Sequence, residues 1–502
     1  MSLSKTTREH SLTGRFSAIR VFYTILGFYF VFGLINLDVI PIPWLDEAAC
    51  LEPAVLWQRT GHYISKAWPT PGTEQIFLSY PPGIMMLHRF TLSVFPPDVF
   101  WVRLPFLLLH TGAVWLLFRV FKRNLQLDVR WAALLCLYFL FDKAVFEISR
   151  SVRSEVIEVA LLVAWIAVYT RVKPMRKGLQ AFLLGLLCGA MLLTHLKLWP
   201  VVAVLSAWFA WQDFTKARLV SYALGIALLP LCFLVFIDFR VTELYAQLFQ
   251  HSMEHSAGGG LHVRMYHYFI GRFYPVYKEQ PWLPLLHGWV TWLALKQFRA
   301  QPKQAVPAAV WLLAGLVWLL FLGPYYRYFL PMYVVGLWVV ANWINEQKRP
   351  FPVFRGRYAW PLLAMMLFPF VSRHALGFIQ RPERDPESCL TFLETQVPKQ
   401  GRILLYGNEI GLYYAARYPN VDFTHITSPD HFGFGEYDSI YFLTDVPHPE
   451  LRMKAIYQPK QYALPDWMYA LGRGGTFANM RVYVIRSEAE WKSVAKPFYG
   501  WD

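Results

Sequence analysis

The sequence predicts a polytopic α-helical membrane protein with a small α/β domain at its carboxyl end. Three observations predict it. Apolar residues make up 56% of the 502 and charged residues only 16%, which leaves a soluble domain of this size too little charge to cover its surface. The apolar residues gather into repeated runs, several near the roughly 20 residues that cross a bilayer. Past Arg381 the pattern changes to short strands alternating with short helices.

The net charge of +15 would suggest a nucleic-acid partner in a soluble protein. Here the excess Lys and Arg is assigned to cytoplasmic loops facing anionic lipid heads, and nucleic acid is excluded. The 21 Trp and 28 Tyr suit aromatic belts at the two interfaces. Of five cysteines, Cys136, Cys188 and Cys232 fall in apolar runs and are expected to pack. Cys50 and Cys389 fall outside the runs, on one expected side, and a bond between them stays open. No small-residue cleavage site follows the first run, so it is expected to be a retained anchor.

The polar start holds Lys5, Arg8 and Arg15, and the first span runs from about Ala18 to Leu37. By the positive-inside rule the start is cytoplasmic. Residues 39–99 form a long external loop of charges, prolines and short apolar pieces. Within it, Ile84 to Phe95 is apolar but short and is interrupted by His88 and Arg89. It predicts a helix lying on the interface. Runs from Trp101, Trp131, Val156, Leu179, Trp199 and Leu219 follow. Most short Lys/Arg clusters, such as Arg171, Lys173, Arg176 and Lys177, fall on the cytoplasmic side. Residues 238–281 make a second external loop with a Gly258-Gly259-Gly260 tract. Runs from Trp282, Val306, Tyr325 and Tyr358 complete about eleven crossings, an odd number that puts the carboxyl end outside. The membrane part is thus 1–376, with external loops 39–99 and 238–281, and the outer domain is 377–502. In that domain 387–395 and 409–417 read as helices. Residues 402–406, 421–424, 439–443 and 482–485 read as strands.

The chemistry centres on Trp44 to Pro53, just outside the first span. Asp46 and Glu47 stand there as adjacent carboxylates. A carboxylate can take the proton from an attacking hydroxyl. A bare acidic pair is more often a loop or cap acid, and its place beside a span and a long external loop is what raises this one. Arg103, Arg150, Arg153, Lys197 and Arg327 fall near the same membrane face. Fixed positive charge of this kind stabilises a departing lipid phosphate; the plainer role is snorkelling to lipid heads. Lys197 is the strongest, because apolar sequence resumes on both sides of it. Three roles fit Glu155: ligating a divalent metal, ordering Arg153, or capping a helix start. His251-Ser-Met-Glu254-His255 has the spacing of inverted zinc proteases, but the glycine tract that follows argues against a stable helix there. No P-loop, no dinucleotide fingerprint and no CxxC pair is present.

At these residues the chain resembles the polyprenyl-phosphate-sugar-dependent glycosyltransferases of the GT-C fold, nearest to the protein O-mannosyltransferases and the lipid A aminoarabinose transferases. The marks are Asp46-Glu47 after the first span with Gly61 and Tyr63 downstream, Tyr80-Pro81-Pro82, and the VRLP stretch at Arg103. Arg153-Ser154-Glu155, Lys197 and Tyr326-Arg327-Tyr328 complete the set, over roughly residues 15–345. The resemblance implies a GT-C-like fold and a sugar donor carried on polyprenyl monophosphate. Asp46 would be the base or acceptor-positioning acid, with Glu47 beside it. Lys197 and Arg327 would hold the phosphate, together with Arg153, Arg103 and Tyr80. Glu155 would stand at the position of a family acid able to contact a metal; no other cofactor is implied. Two positions depart from the aminoarabinose enzymes: Tyr80 stands where they carry a lysine, and Ala49 where they carry an arginine.

The sequence therefore predicts an inner-membrane glycosyltransferase working by inverting single displacement on the extracytoplasmic face. Its partners would be a polyprenyl-phosphate sugar, membrane lipids and a glycan, lipid or protein acceptor. Two other classes compete. A lipid or solute transporter would show paired inverted halves with broken helices, and neither is visible. A non-catalytic assembly protein would use the outer domain as a binding module.

Overall fold

The computed structural model describes residues 3–39, 41, 45–67, 75–173, 175–212, 215–255, 283–302, 305–317, 329–347, 371, 375, 385–424, 434–458, 477 and 479–494. The first described helix is α1 (Leu3–Leu34), which takes in the polar start as well as the first apolar run. Next come α2 (Leu45–Thr60), α3 (Gly83–Val94) and α4 (Val99–Arg119). The run expected as one span from Trp131 is broken into α5 (Val129–Leu140) and α6 (Lys143–Ser149). Asp142 explains the break. Its carboxylate accepts from the backbone N–H groups of Ala144 and Val145 and caps a new helix.

Helices α7 (Ser154–Tyr169), α8 (Lys177–Leu192), α9 (Trp199–Gln212) and α10 (Lys216–Phe236) follow the expected runs. Helix α11 (Val241–His255) carries the His251/Glu254/His255 motif to its last residue. The glycine tract thus does not prevent a helix there. Then come α12 (Leu283–Ala300), α13 (Val306–Val317) and α14 (Leu330–Glu346). The run from Tyr358 lies outside the described residues. Among the described residues, Val99–Asn124 and Lys216–Phe236 are the helices long and apolar enough to cross a membrane. Val220, Leu224, Leu228, Leu231 and Val235 stand exposed along α10, as lipid contact requires. Helix α3 is two-faced. Ile84, Met85, His88 and Leu92 are buried, while Met86, Phe90 and Val94 form an exposed apolar stripe that suits an interfacial helix.

The carboxyl-terminal part folds as α15 (Pro386–Gln396), β1 (Ile403–Gly407), α16 (Ile410–Arg417), β2 (Val421–Thr424), β3 (Ser439–Thr444), β4 (Arg452–Ile456), β5 (Arg481–Ile485) and α17 (Glu488–Val494). The sheet order is β2-β1-β3-β5-β4, with β1 parallel to β2 and β3, and β5 antiparallel to β3 and β4. Strand alternation splits its side chains between two cores. Ile403, Leu405, Tyr441 and Leu443 join the core of the helical bundle. Leu404, Tyr406, Ile440 and Phe442 pack with Trp491 and Val494 of α17.

Polar contacts reinforce the junction. Lys66 Nζ lies 2.6 Å from Asp422 Oδ2, and Arg417 Nη2 lies 2.6 Å from Asp98 Oδ1. Arg59 donates to the carbonyl of Ala415 at the end of α16. Behind Lys66, buried Glu52 accepts from Ser65 Oγ at 2.7 Å and from the Lys66 N–H at 2.8 Å. Burial pushes the Glu52 carboxyl up to about 7, against the Ser65 and Lys66 hydrogen bonds that oppose it.

Two predictions follow from this packing. Helices α8 and α10 meet backbone to backbone. A Cβ on Gly225 would lie 2.2 Å from the Phe182 carbonyl, and one on Gly185 2.1 Å from that of Tyr222. Gly225→Val should cost roughly 1–3 kcal/mol and lower the melting midpoint in detergent. Gly112→Ala, where an added Cβ meets nothing within 4 Å, should leave that midpoint level or raise it. Glu52 sets a pH dependence. An acid raised in the fold contributes full stability below its ordinary value near 4.5, and loses it as pH rises through about 7. Glu52→Gln should therefore remove about 3 kcal/mol of destabilisation between pH 5 and pH 8, read as a flatter melting-midpoint profile.

Candidate functional site

The acidic pair opens α2, and its second member is locked. Arg103, in the first turns of α4, donates to Glu47 from Nε (3.1 Å to Oε2) and from Nη2 (2.9 Å to Oε1, 3.0 Å to Oε2). Its Nη1 donates to the carbonyls of Leu37 at 2.9 Å and Pro41 at 2.6 Å. Both side chains are wholly buried. All three guanidinium nitrogens are thus engaged by protein acceptors. Arg103, expected on sequence to help hold a lipid phosphate, joins the α1–α2 connection to α4 in the structure. Glu47, expected beside Asp46 as a reacting carboxylate, is its counter-ion. Burial pushes the Glu47 carboxyl above its ordinary range, opposed by the Arg103 charge and hydrogen bonds and then by Arg153. Asp46 lies one residue earlier in the same helix.

A second cluster forms where the Tyr80-Pro81-Pro82 segment meets the end of α8. The Gly83 N–H donates to the Leu193 carbonyl at 2.8 Å. A Cβ at Gly83 would lie 2.9 Å from that oxygen, so the close approach needs glycine. Tyr80 Oη sits 2.9 Å from His195 Nε2. His195 Nδ1 accepts from the Lys197 backbone N–H at 3.1 Å. In the neutral ring Nε2 must then carry the proton and donate to Tyr80. The phenolic hydrogen thus points away from His195. Lys197 Nζ lies 3.9 Å from Glu155 Oε1, both nearly buried. Glu158, wholly buried, stands three residues on along α7, and that spacing puts it on the same face as Glu155.

The segment before α7 joins the two clusters. Val152 offers a backbone hydrogen bond to Glu47, and Arg153 lies close enough to act on its charge. Glu155 reaches Lys197. Three residues of extended chain span at most about 11 Å, so the backbone at Val152 and that at Glu155 lie within that distance of each other. Asp46 is described by its backbone alone. Arg327 lies outside the described residues.

Arg150, singled out with the other external cations, is wholly buried and donates from Nη2 to the Ile35 carbonyl at 2.8 Å. Cys50 and Cys389 are buried thiols, and no disulfide joins them. The described residues contain no group of three or more His, Cys, Asp or Glu suited to a metal ion. Sequence reasoning passed over Glu158, although its helical spacing from Glu155 was visible, and Tyr413. The Tyr413 hydroxyl, from α16, lies 3.5 Å from Glu47 Oε2 across 366 residues of chain, and no sequence signal announces it.

No family model matches the chain. No curated protein matches it either. Solved structures do. The apo crystal structure of ArnT from Cupriavidus metallidurans covers 97% of this chain and 100% of that one, with a TM-score of 0.57 at 14% identity. The same enzyme bound to undecaprenyl phosphate covers 94% and 98%, with a TM-score of 0.58 at 12% identity. ArnT has the GT-C fold, and this chain shares it.

Breaking the buried pair gives a direct test. Arg103→Met leaves Glu47 as an uncompensated buried charge and should cost about 3–5 kcal/mol. Adding Glu47→Gln should recover much of that loss, read as the melting midpoint of the double variant against each single one.

Proposed function

We propose that the protein is a membrane glycosyltransferase that takes a sugar from a polyprenyl-phosphate donor. The observation that carries this reading is the joined pair of clusters. A helix start bearing Asp46 is tied through residues 152–155 to a nearly buried lysine, in a chain sharing the fold of an enzyme solved with undecaprenyl phosphate. In this reading the chain crosses the inner membrane about eleven times, from a cytoplasmic amino terminus. Residues 1–376 form the catalytic part, and 377–502 lie on the extracytoplasmic side.

An acceptor hydroxyl attacks the sugar C1, and Asp46 takes its proton. The C1–O bond to the phosphate breaks, and its electron pair leaves with the phosphate oxygen. Attack from the face opposite the leaving group inverts C1. Lys197 and Arg327 hold the phosphate, with Arg153 alongside and Tyr80 donating its phenolic hydrogen. An ionised phosphate leaves without a proton, so one carboxylate suffices. Glu155 acts as counter-ion to Lys197 and aims it before the donor arrives. A divalent cation at Glu155 would meet that ammonium at close range, so the metal role is the weaker fit there. Glu47 and Arg103 take no part in the bond changes and hold α2.

Asp46→Asn should slow release of polyprenyl phosphate from a lipid-linked sugar by roughly 10²–10⁴-fold. Lys197→Met should slow it roughly 10²–10³-fold and weaken undecaprenyl phosphate binding. Near-normal turnover with Asp46→Asn would remove that residue from the mechanism.

A further inference from the structure

We propose that the carboxyl-terminal α/β domain is part of the reaction site, and that Tyr413 is a positioning residue that sets the turn of α2 bearing Asp46. The proposal rests on the reading of Asp46 as base.

Helix α16 touches α2 at both ends. At the near end the Tyr413 hydroxyl lies 3.5 Å from Glu47 Oε2. At the far end Arg59, in the last turn of α2, donates to the carbonyl of Ala415. Tyr413, Glu47 and Arg103 are all wholly buried, so water cannot replace a lost contact among them. Burial, and next the Glu47 charge, push the Tyr413 phenol well above its ordinary value. It therefore stays protonated and is a donor. Glu47 Oε2 thus faces two N–H groups of Arg103 from the bundle and one O–H from the domain. All three Arg103 nitrogens are already engaged, so the pair cannot swing toward a new partner without breaking a bond.

Geometry makes the turn of α2 matter. A side chain extends about 6 Å from a helix axis, so a rotation of about 10° moves its tip by about 1 Å. A misplacement of that size can cost on the order of 10²-fold in rate. Glu47 is the residue next to Asp46, and whatever fixes its carboxylate fixes the rotation of the turn they share. The remaining ties, Lys66 to Asp422 and Arg417 to Asp98, hold the domain in place around that contact.

The test uses the full chain in lipid nanodiscs. Hydrogen exchange is followed by mass spectrometry over residues 45–50. Undecaprenyl phosphate binding is measured by tryptophan fluorescence, and turnover with the same lipid-linked sugar used for Asp46→Asn. Tyr413→Phe keeps the ring and removes only the hydroxyl. Exchange over residues 45–50 should rise at least 5-fold and kcat fall about 10-fold, with KM and undecaprenyl phosphate affinity held within 2-fold. Arg59→Gln should loosen residues 56–60, leave 45–50 protected and keep kcat within 2-fold. Unchanged exchange in Tyr413→Phe overturns the proposal, as does raised exchange with unchanged kcat. An equal loss of kcat in Arg59→Gln overturns it too, because general loosening would then explain both. Exchange needs no turnover, so a failure of Asp46→Asn to slow the reaction is read separately from a failure of the Tyr413 contact.

Discussion

The buried ion pair between Glu47 and Arg103 is the constraint on which the rest of the arrangement depends. Two charges taken out of water cost several kcal/mol each, and the cost is recovered only when geometry is good and the remaining donors are met. Here they are met. The guanidinium engages both carboxylate oxygens and two backbone carbonyls. Four parts of the chain are joined at one point: the α1–α2 connection, α2, α4 and, through Tyr413, the α/β domain. Such a junction is stiff because no member can leave alone without stranding a charge.

The second cluster has a different character. Lys197 and Glu155 stand 3.9 Å apart, a longer separation than the 2.9 Å between Arg103 and Glu47. Tyr80 is fixed by His195, whose ring is fixed in turn by a backbone N–H. In the proposed reaction the tight pair would hold the frame still while the second cluster meets the charged donor. The link between them is short because it is a few residues of chain rather than a long-range contact.

Much of the fold was legible in the sequence, for reasons that can be named. The apolar runs predicted helices because only a helix satisfies its own backbone in an apolar environment. The strands at 403–407, 421–424, 439–444 and 481–485 follow runs of buried apolar residues. Strand β4 was missed, because Arg452-Met-Lys-Ala-Ile456 is an edge strand with exposed charges and carries no such signal. The break at Asp142 was missed because the apolar run continues on both sides of one capping residue. Asp46, Glu47, Lys197 and Glu155 stood out in the sequence because adjacent acids and isolated cations at the ends of apolar runs are conspicuous there.

The sequence by itself determined the helical class, four of the five strands of the carboxyl-terminal domain and which charged residues stand at the ends of the apolar runs. These are matters of local pattern, and local pattern is what hydropathy and spacing record. Only the tertiary structure decided which of those charges are engaged. It gave all three guanidinium nitrogens of Arg103 to Glu47 and two carbonyls, left Cys50 and Cys389 apart, and brought Tyr413 to the start of α2. The physical reason is that a hydrogen bond joins atoms a few ångströms apart in space, and a separation of 366 residues along the chain leaves no trace in the sequence around either partner.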